Sequence, residues 1–198
     1  MYGIETITPP TAAPVPVAAL RARLRLNGTA EDGDLEEFLA AAVEQFEDDA
    51  RRPVLATTYR QDLSCWPCGP IVIARGGVTA VNAVGWYDAD GEPNDLDPAE
   101  WRAEVRTPPA RVTLAANPAP VVTAAGIDVA TVGYVTFTAG WATPAAVPRR
   151  VRTAIMLLAG HFYEHREAFL EGTLSELPSG WAAVVSQYKL GLTGDLGQ

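Results

Sequence analysis

The stretch from Pro148 to Leu170 most constrains the fold. It starts at a proline, which a first helical turn tolerates, and it sets Val151, Ile155, Leu158, Phe162 and Phe169 on one stripe. Ala154, Met156 and Leu157 widen that stripe until most of the circumference is apolar. A helix of this kind is stable only when other elements cover it, so it predicts a central core helix and demands partners elsewhere in the chain.

Two partners stand near the N-terminus. After an extended, Pro- and Ala-rich arm over 1–15, a helix over 16–26 places Val17, Leu20 and Leu24 on one face and Arg21 and Arg25 on another, stopping at Asn27-Gly28. A second helix, 34–52, carries Leu35, Phe38, Leu39, Ala42, Val43 and Phe46 at helical spacing. Its acids lie mostly early and Arg51 and Arg52 late, as the helix dipole favours, and Pro53 ends it.

Between the helical parts, residues 54–138 change texture. Short β-branched runs occur at Val54–Leu63, Ile71–Ala74, Val78–Tyr87, Trp101–Arg106, Arg111–Ala115 and Val129–Thr138, broken by Gly, Pro and Asp. They predict a small antiparallel sheet or barrel, with a hairpin at Asp88–Gly91 and a loop from Ala115 to Asp128. A short helix over 179–190 precedes the Gly-rich tail that ends at Gln198. The predicted class is therefore α+β. Helices within 16–52 and 148–170 form a helical bundle core, with an antiparallel insertion at 54–138, in one domain over 16–178 followed by a C-terminal helix and tail over 179–198.

The formal charge of -9 and pI near 4.7 argue against a free-standing nucleic-acid binder, whose affinity comes from clustered Lys and Arg. Lys189 is the single lysine among 15 Lys and Arg, so the basic side chains are nearly all guanidinium groups suited to bidentate carboxylate contacts. No run reaches the roughly 18 uncharged apolar residues of a membrane span, and the proline-broken N-terminus does not read as a secretory signal. A soluble, cytosolic protein is expected.

Two motifs invite chemistry. His161-Phe162-Tyr163-Glu164-His165 spells the inverted zinc-hydrolase signature, with two imidazoles at i and i+4 and a carboxylate between them. A zinc site needs a third protein ligand; no other histidine supplies one, leaving scattered acids such as Glu167, Glu171 and Glu176. Cys65-Trp66-Pro67-Cys68 has the spacing of a thioredoxin-like site, but Gly-Pro and a strand follow it, where that chemistry needs a helix to stabilise the thiolate. Joining both pairs into a Cys2His2 zinc site requires a gap many times the usual dozen or so residues. No G-x-S-x-G elbow, Walker loop or dinucleotide fingerprint occurs, and Ser64, Ser175, Ser179 and Ser186 lack a nucleophile context. The expectation is a protein without catalytic residues, metal or cofactor; a zinc-dependent hydrolase centred on His161, Glu164 and His165 is the alternative.

The segments LRARLRLNGTAEDGDLEEFLAAAVEQFEDDARRPVLATTYR, GPIVIARGGVTAVNAVGWYDADGE and YVTFTAGWATPAAVPRRVRTAIMLLAGHFYEHREAFLEG, in that order, resemble the head-to-tail connector (adaptor) proteins of long-tailed bacteriophages, prophages and gene transfer agents. The resemblance spans about Leu20 to Pro178. It is strongest where an Ala139-Gly140-Trp141 turn leads to Val147-Pro148 and a helix bearing Tyr163, Glu164, Arg166 and Glu167. The family commonly has Asn at the position of His165, and the cysteine pair is not part of its pattern.

The resemblance implies a structural virion component at the head-tail junction, assembled in the bacterial host cytoplasm. It implies a ring, commonly dodecameric, that binds the portal protein, extends the DNA channel without sequence-specific contact, and docks a stopper or tail-completion protein. A head-to-tail ring needs two different complementary surfaces on each subunit. Arg51, Arg52, Arg149, Arg150 and Arg152 are candidates for one, and Glu44, Glu47, Asp48 and Asp49 for the other. The apolar C-terminal residues Trp181, Val184, Val185, Tyr188, Leu190 and Leu192 are candidates for the portal contact, with packing on the chain's own core as the rival.

Overall fold

The long apolar helix forms and acquires partners in sequence-distant segments. A computed structural model of the protein describes residues 3–88, 91–116, 132–165 and 180–190. Among these the fold is mixed α+β, with four α-helices and two antiparallel sheets. The chain divides into a helical unit, Pro10–Leu55 with Trp141–Lys189, and a β unit, Met1–Pro9 with Ala56–Gly140 and Leu190–Gln198.

The helical unit contains α1 (Val17–Leu24), α2 (Asp32–Ala50), α3 (Arg149–Glu164) and α4 (Trp181–Tyr188). They share one apolar core in which Leu20, Leu35, Phe46, Val151, Ile155 and Leu158 lose essentially all solvent contact. At roughly 1.5–3 kcal/mol per fully buried aliphatic or aromatic side chain, this burial is the main force holding the helices. Aromatic edges fix their mutual rotation. Phe38 meets Tyr163 edge-on at 6.4 Å, and Phe46 meets Trp181 at 6.1 Å. Arg21 on α1 grips both carboxylate oxygens of Asp32, the first residue of α2, at 2.7 and 2.5 Å.

Two helix ends differ from expectation in the same way. α1 stops before Asn27-Gly28 because Arg25 turns into the left-handed region at φ 57°. Its N–H donates to the Ala22 carbonyl and that of Leu26 to Arg21, which satisfies the last carbonyls and lets Leu26 reach the core. α2 ends likewise at Arg51, φ 50°, with Arg51 and Arg52 donating to Asp48 and Glu47. α3 ends at Glu164, short of the expected Leu170, because His165 leaves helical geometry at φ -117° and ψ 43°; residues 166–170 lie outside the described residues.

In the β unit a five-stranded sheet runs β1 (Ile4–Thr8), β2 (Thr57–Leu63), β8 (Gly133–Ala139), β4 (Val78–Tyr87), β5 (Pro93–Asp95). A three-stranded sheet runs β3 (Ile71–Val72), β7 (Arg111–Leu114), β6 (Trp101–Glu104). Strand β2 alternates buried and half-buried residues along its length, and Tyr59, Leu63, Val84, Val112, Val135 and Phe137 fill the core. Gln61 is fully buried there, donating to the Val72 carbonyl and accepting from the Ala74 N–H, each at 2.9 Å.

The predicted run Val78–Tyr87 appears with its bounds intact, Ile71–Ala74, Trp101–Arg106 and Arg111–Ala115 appear shortened at their ends, and the last run closes one residue later, at Ala139. Val54 and Leu55 belong to the helical core, so β2 begins at Thr57, while the expected start of the last run at Val129 and most of the Ala115–Asp128 loop lie outside the described residues. Two strands were not foreseen. Ile4–Thr8, in the stretch read as an arm, pairs antiparallel with β2, and Pro93–Asp95 pairs with β4 across the predicted hairpin. In that hairpin the Asp88 carboxylate accepts from the Glu92 N–H and the Asn94 amide, so it serves the turn.

Candidate assembly surfaces

The charged and apolar residues singled out from sequence sort into those facing solvent and those used within the helical unit. The start of α3 is the most basic element. Pro148 precedes it without a side-chain cap, its first turn holds no acid, and Arg149, Arg150 and Arg152 cluster there. A helix N-terminus is already electropositive, so three guanidinium groups add unfavourably to it unless something anionic lies outside. Arg149 and Arg150 are exposed, Arg150 reaching Gln187 of α4 at 3.2 Å, whereas Arg152 is half-buried. Beside them a groove of about 510 Å³ opens between α3 and α4, floored by Ala154 and Trp181 and walled by Thr153, Leu157 and Val184. Leu157, at 42% exposure, is one of two large hydrophobic side chains so exposed among the described residues.

A second groove of about 420 Å³ runs along α2 against the Ala13–Val17 segment. Val15, Val17, Leu39 and Val43 line it, and Glu36 and Glu44 sit at its rim. The two grooves share no lining residue.

Other candidates are engaged internally. Arg52 lies over the Trp141 ring at 4.2 Å and the Tyr188 ring at 5.9 Å, and burial pushes its guanidinium below the ordinary value while Tyr188 opposes the shift. The Glu47 carboxylate accepts the Val54 N–H at 2.7 Å, closing the exit from α2. Asp49 accepts from the Trp181 indole. Arg51, Glu44 and Asp48 are exposed.

Among the C-terminal residues, Trp181 and Val185 are buried in the helical core, and Tyr188 packs on Phe46 and Trp141. Val184 is half-buried and borders the first groove. Leu190 is buried, and Leu192 lies outside the described residues.

The histidines do come together. The rings of His161 and His165 stand 4.3 Å apart, and Nδ1 of His165 lies 3.0 Å from the His161 carbonyl oxygen, so that nitrogen is occupied by the helix backbone. Among the described residues no group of three or more His, Cys, Asp or Glu is placed to hold a metal ion; Glu167, Glu171 and Glu176 lie outside them. Cys65 and Cys68 are free and exposed on the turn between β2 and β3, and a strand follows them. Trp66 between them is the anchored member, its ring set against Gly133, where an added Cβ would come within 2.6 Å of the indole. No described helix is long and apolar enough to cross a membrane.

No family model matches the sequence, and no curated protein matches it. Solved structures do. The chain is 24% identical, with a TM-score of 0.79 over 98% of both chains, to a chain in the neck of an empty gene transfer agent particle computed with C6 symmetry. It is 24% identical, with a TM-score of 0.76 over 97% of both, to a chain in the virion of a native gene transfer agent particle. A chain in the native particle's neck computed with C12 symmetry is 25% identical, with a TM-score of 0.74 over 98% of both. Over nearly its whole length the chain therefore has the fold of a gene transfer agent neck component, and the resemblance read from its sequence holds in three dimensions.

Proposed function

We propose that this protein is a structural neck component of a phage-like particle, acting as its head-to-tail connector. The carrying observation is the match over 98% of both chains to chains in the neck of a gene transfer agent particle. In this reading the subunit joins a ring beneath the portal, extends the DNA channel and presents a platform to the next tail component. Neighbours from necks with C6 and C12 symmetry support the ring. The net charge of -9 suits a conduit, because a duplex slides past a surface that does not grip phosphates.

The portal contact is assigned to the C-terminal segment. Trp181, Val185 and Tyr188 are committed to the helical core, so Val184 and the residues beyond Leu190, including Leu192, carry it in this reading. Electron microscopy of particles from the producing cell tests the function: density for this chain is expected between portal and tail. Deleting its gene is expected to leave DNA-filled heads without tails; normally tailed particles lacking the chain would overturn the reading. Removing residues 191–198 is expected to spare folding and abolish capture of portal protein.

A further inference from the structure

The two grooves of the helical unit carry opposite charge. At the first, Arg149 and Arg150 lead a stripe that continues through Thr153 to Leu157, at i, i+4 and i+8 from Arg149, so one helix face is basic at one end and apolar at the other. At the second, Glu36, Ala40, Val43 and Glu44 form one stripe of α2, acidic at its ends and small or apolar between. The side chains of Arg149, Glu36 and Glu44 make no ion pair among the described residues. Each stripe thus has the composition of a helix-packing face: charges at the edge, and between or beyond them small or apolar side chains that face the groove, exposed Leu157 on α3 and exposed Ala40 with half-buried Val43 on α2.

We infer that the groove at the start of α3 receives the acidic α2 face of a second copy of this chain, so that the basic groove of each subunit docks on the acidic groove of the next. Two complementary, non-overlapping surfaces on one subunit define a head-to-tail contact, which closes into a ring when its rotation divides a full turn. The arginines at the uncapped start of α3 gain a partner that offsets the positive helix end, and Leu157 leaves water. The sequence-level candidates are thereby narrowed: Arg52 and Glu47 are engaged within the subunit and drop out, and Glu36 enters. The closed ring rests on the neck function proposed above; the contact itself does not.

Native mass spectrometry and sedimentation velocity on the full chain at low ionic strength provide the test. The wild type is expected to self-associate with rising concentration. Arg149→Glu/Arg150→Glu and Glu36→Arg/Glu44→Arg should each stay monomeric, weakened by about 100-fold or more because like charges then face each other. Their equimolar mixture should associate again, since every contact in it pairs opposite charges. The milder Arg149→Ser/Arg150→Ser and Glu36→Gln/Glu44→Gln variants should show a smaller loss with unchanged circular dichroism, separating the contact from folding. A wild type monomeric at every concentration, association that survives both reversals, or a mixture that stays monomeric would overturn the inference. So would an arginine reversal that spares self-association and instead removes binding to a duplex DNA fragment. Absence of the chain from the neck with charge-swap rescue intact would sink the functional reading alone; the chain at the neck with no rescue would sink the contact alone.

Discussion

The indole N–H of Trp181 donates to a carboxylate oxygen of Asp49 across 2.8 Å, tying α4 to the last turn of α2. Gln45 donates to the other oxygen at 3.1 Å, so the carboxylate is held from both sides. Trp181→Ala is expected to cost about 3–5 kcal/mol, because it removes a buried ring from Phe46 and takes one of its two hydrogen bonds from Asp49. Trp181→Phe keeps most of the volume and should cost about 1.5–3 kcal/mol, the usual worth of a hydrogen bond to a charged group. Urea unfolding followed by circular dichroism distinguishes the two.

Gln61 bonds through both ends of its amide to the Val72–Ala74 stretch, which otherwise leaves a carbonyl and an N–H facing a dry core. Gln61→Leu is nearly isosteric yet abandons both groups. It should destabilise by about 2–4 kcal/mol, more than exposed Asn82→Leu on the same sheet, measured as the shift in denaturation midpoint.

Gly133 must lack a side chain because Trp66 and the Gly85 carbonyl crowd it. Gly133→Ala is expected to expel the indole and loosen the loop holding Cys65 and Cys68. Both thiols are already exposed, so the readout is Trp66 fluorescence together with lower stability; an unshifted emission spectrum would count against the contact.

Arg25 and Arg51 adopt left-handed backbone angles, which cost a residue with a Cβ about 1 kcal/mol. Arg51→Gly should therefore raise stability by about 0.5–1 kcal/mol, partly offset by the freer unfolded chain. Arg51→Val, β-branched at the same position, should lower it.

Burial raises the Asp62 carboxyl above its ordinary value, opposed by Arg60 and a hydrogen bond from Tyr87. The folded state thus binds this proton more tightly than the unfolded chain. The associated stability is full below the unfolded value, near 3.8, and is lost as pH rises through the folded value. Asp62→Asn should gain on the wild type at neutral pH, and that gain should shrink as pH falls toward 4. A difference independent of pH would contradict the assignment.

The helices were legible because their signals are local and repeated: the stripe on α3 and the apolar spacing of Leu35 to Phe46 admit few other structures. The ends of α1 and α2 were less so, since arginines rather than glycines make the left-handed turns, and the residue after each is held by distant partners: Leu26 against the helical core and Arg52 over the Trp141 ring. Strand β5, Pro-Asn-Asp, carries no strand-forming residue and exists because a hairpin delivers it to β4. Strand β1 did carry a signal in Ile4-Glu5-Thr6-Ile7-Thr8, overshadowed by the prolines that follow. At the surfaces, charge could be read but engagement could not. Nothing in the order of residues separates Arg52, spread over Trp141, from Arg149 at a groove rim, because the distinction lies in a ring about 90 residues away.

The interleaving of the two units sets a timetable during synthesis. Phe46 leaves the ribosome about 100 residues before Val151 and Ile155, the core partners on α3, and longer before Trp181. At typical elongation rates of about 5–20 residues per second, the first half of the helical core waits roughly 5–20 s for its second half. The whole β insertion is translated in that interval, so it can fold while α1 and α2 remain open, and a nascent chain stalled there displays the apolar face of α2.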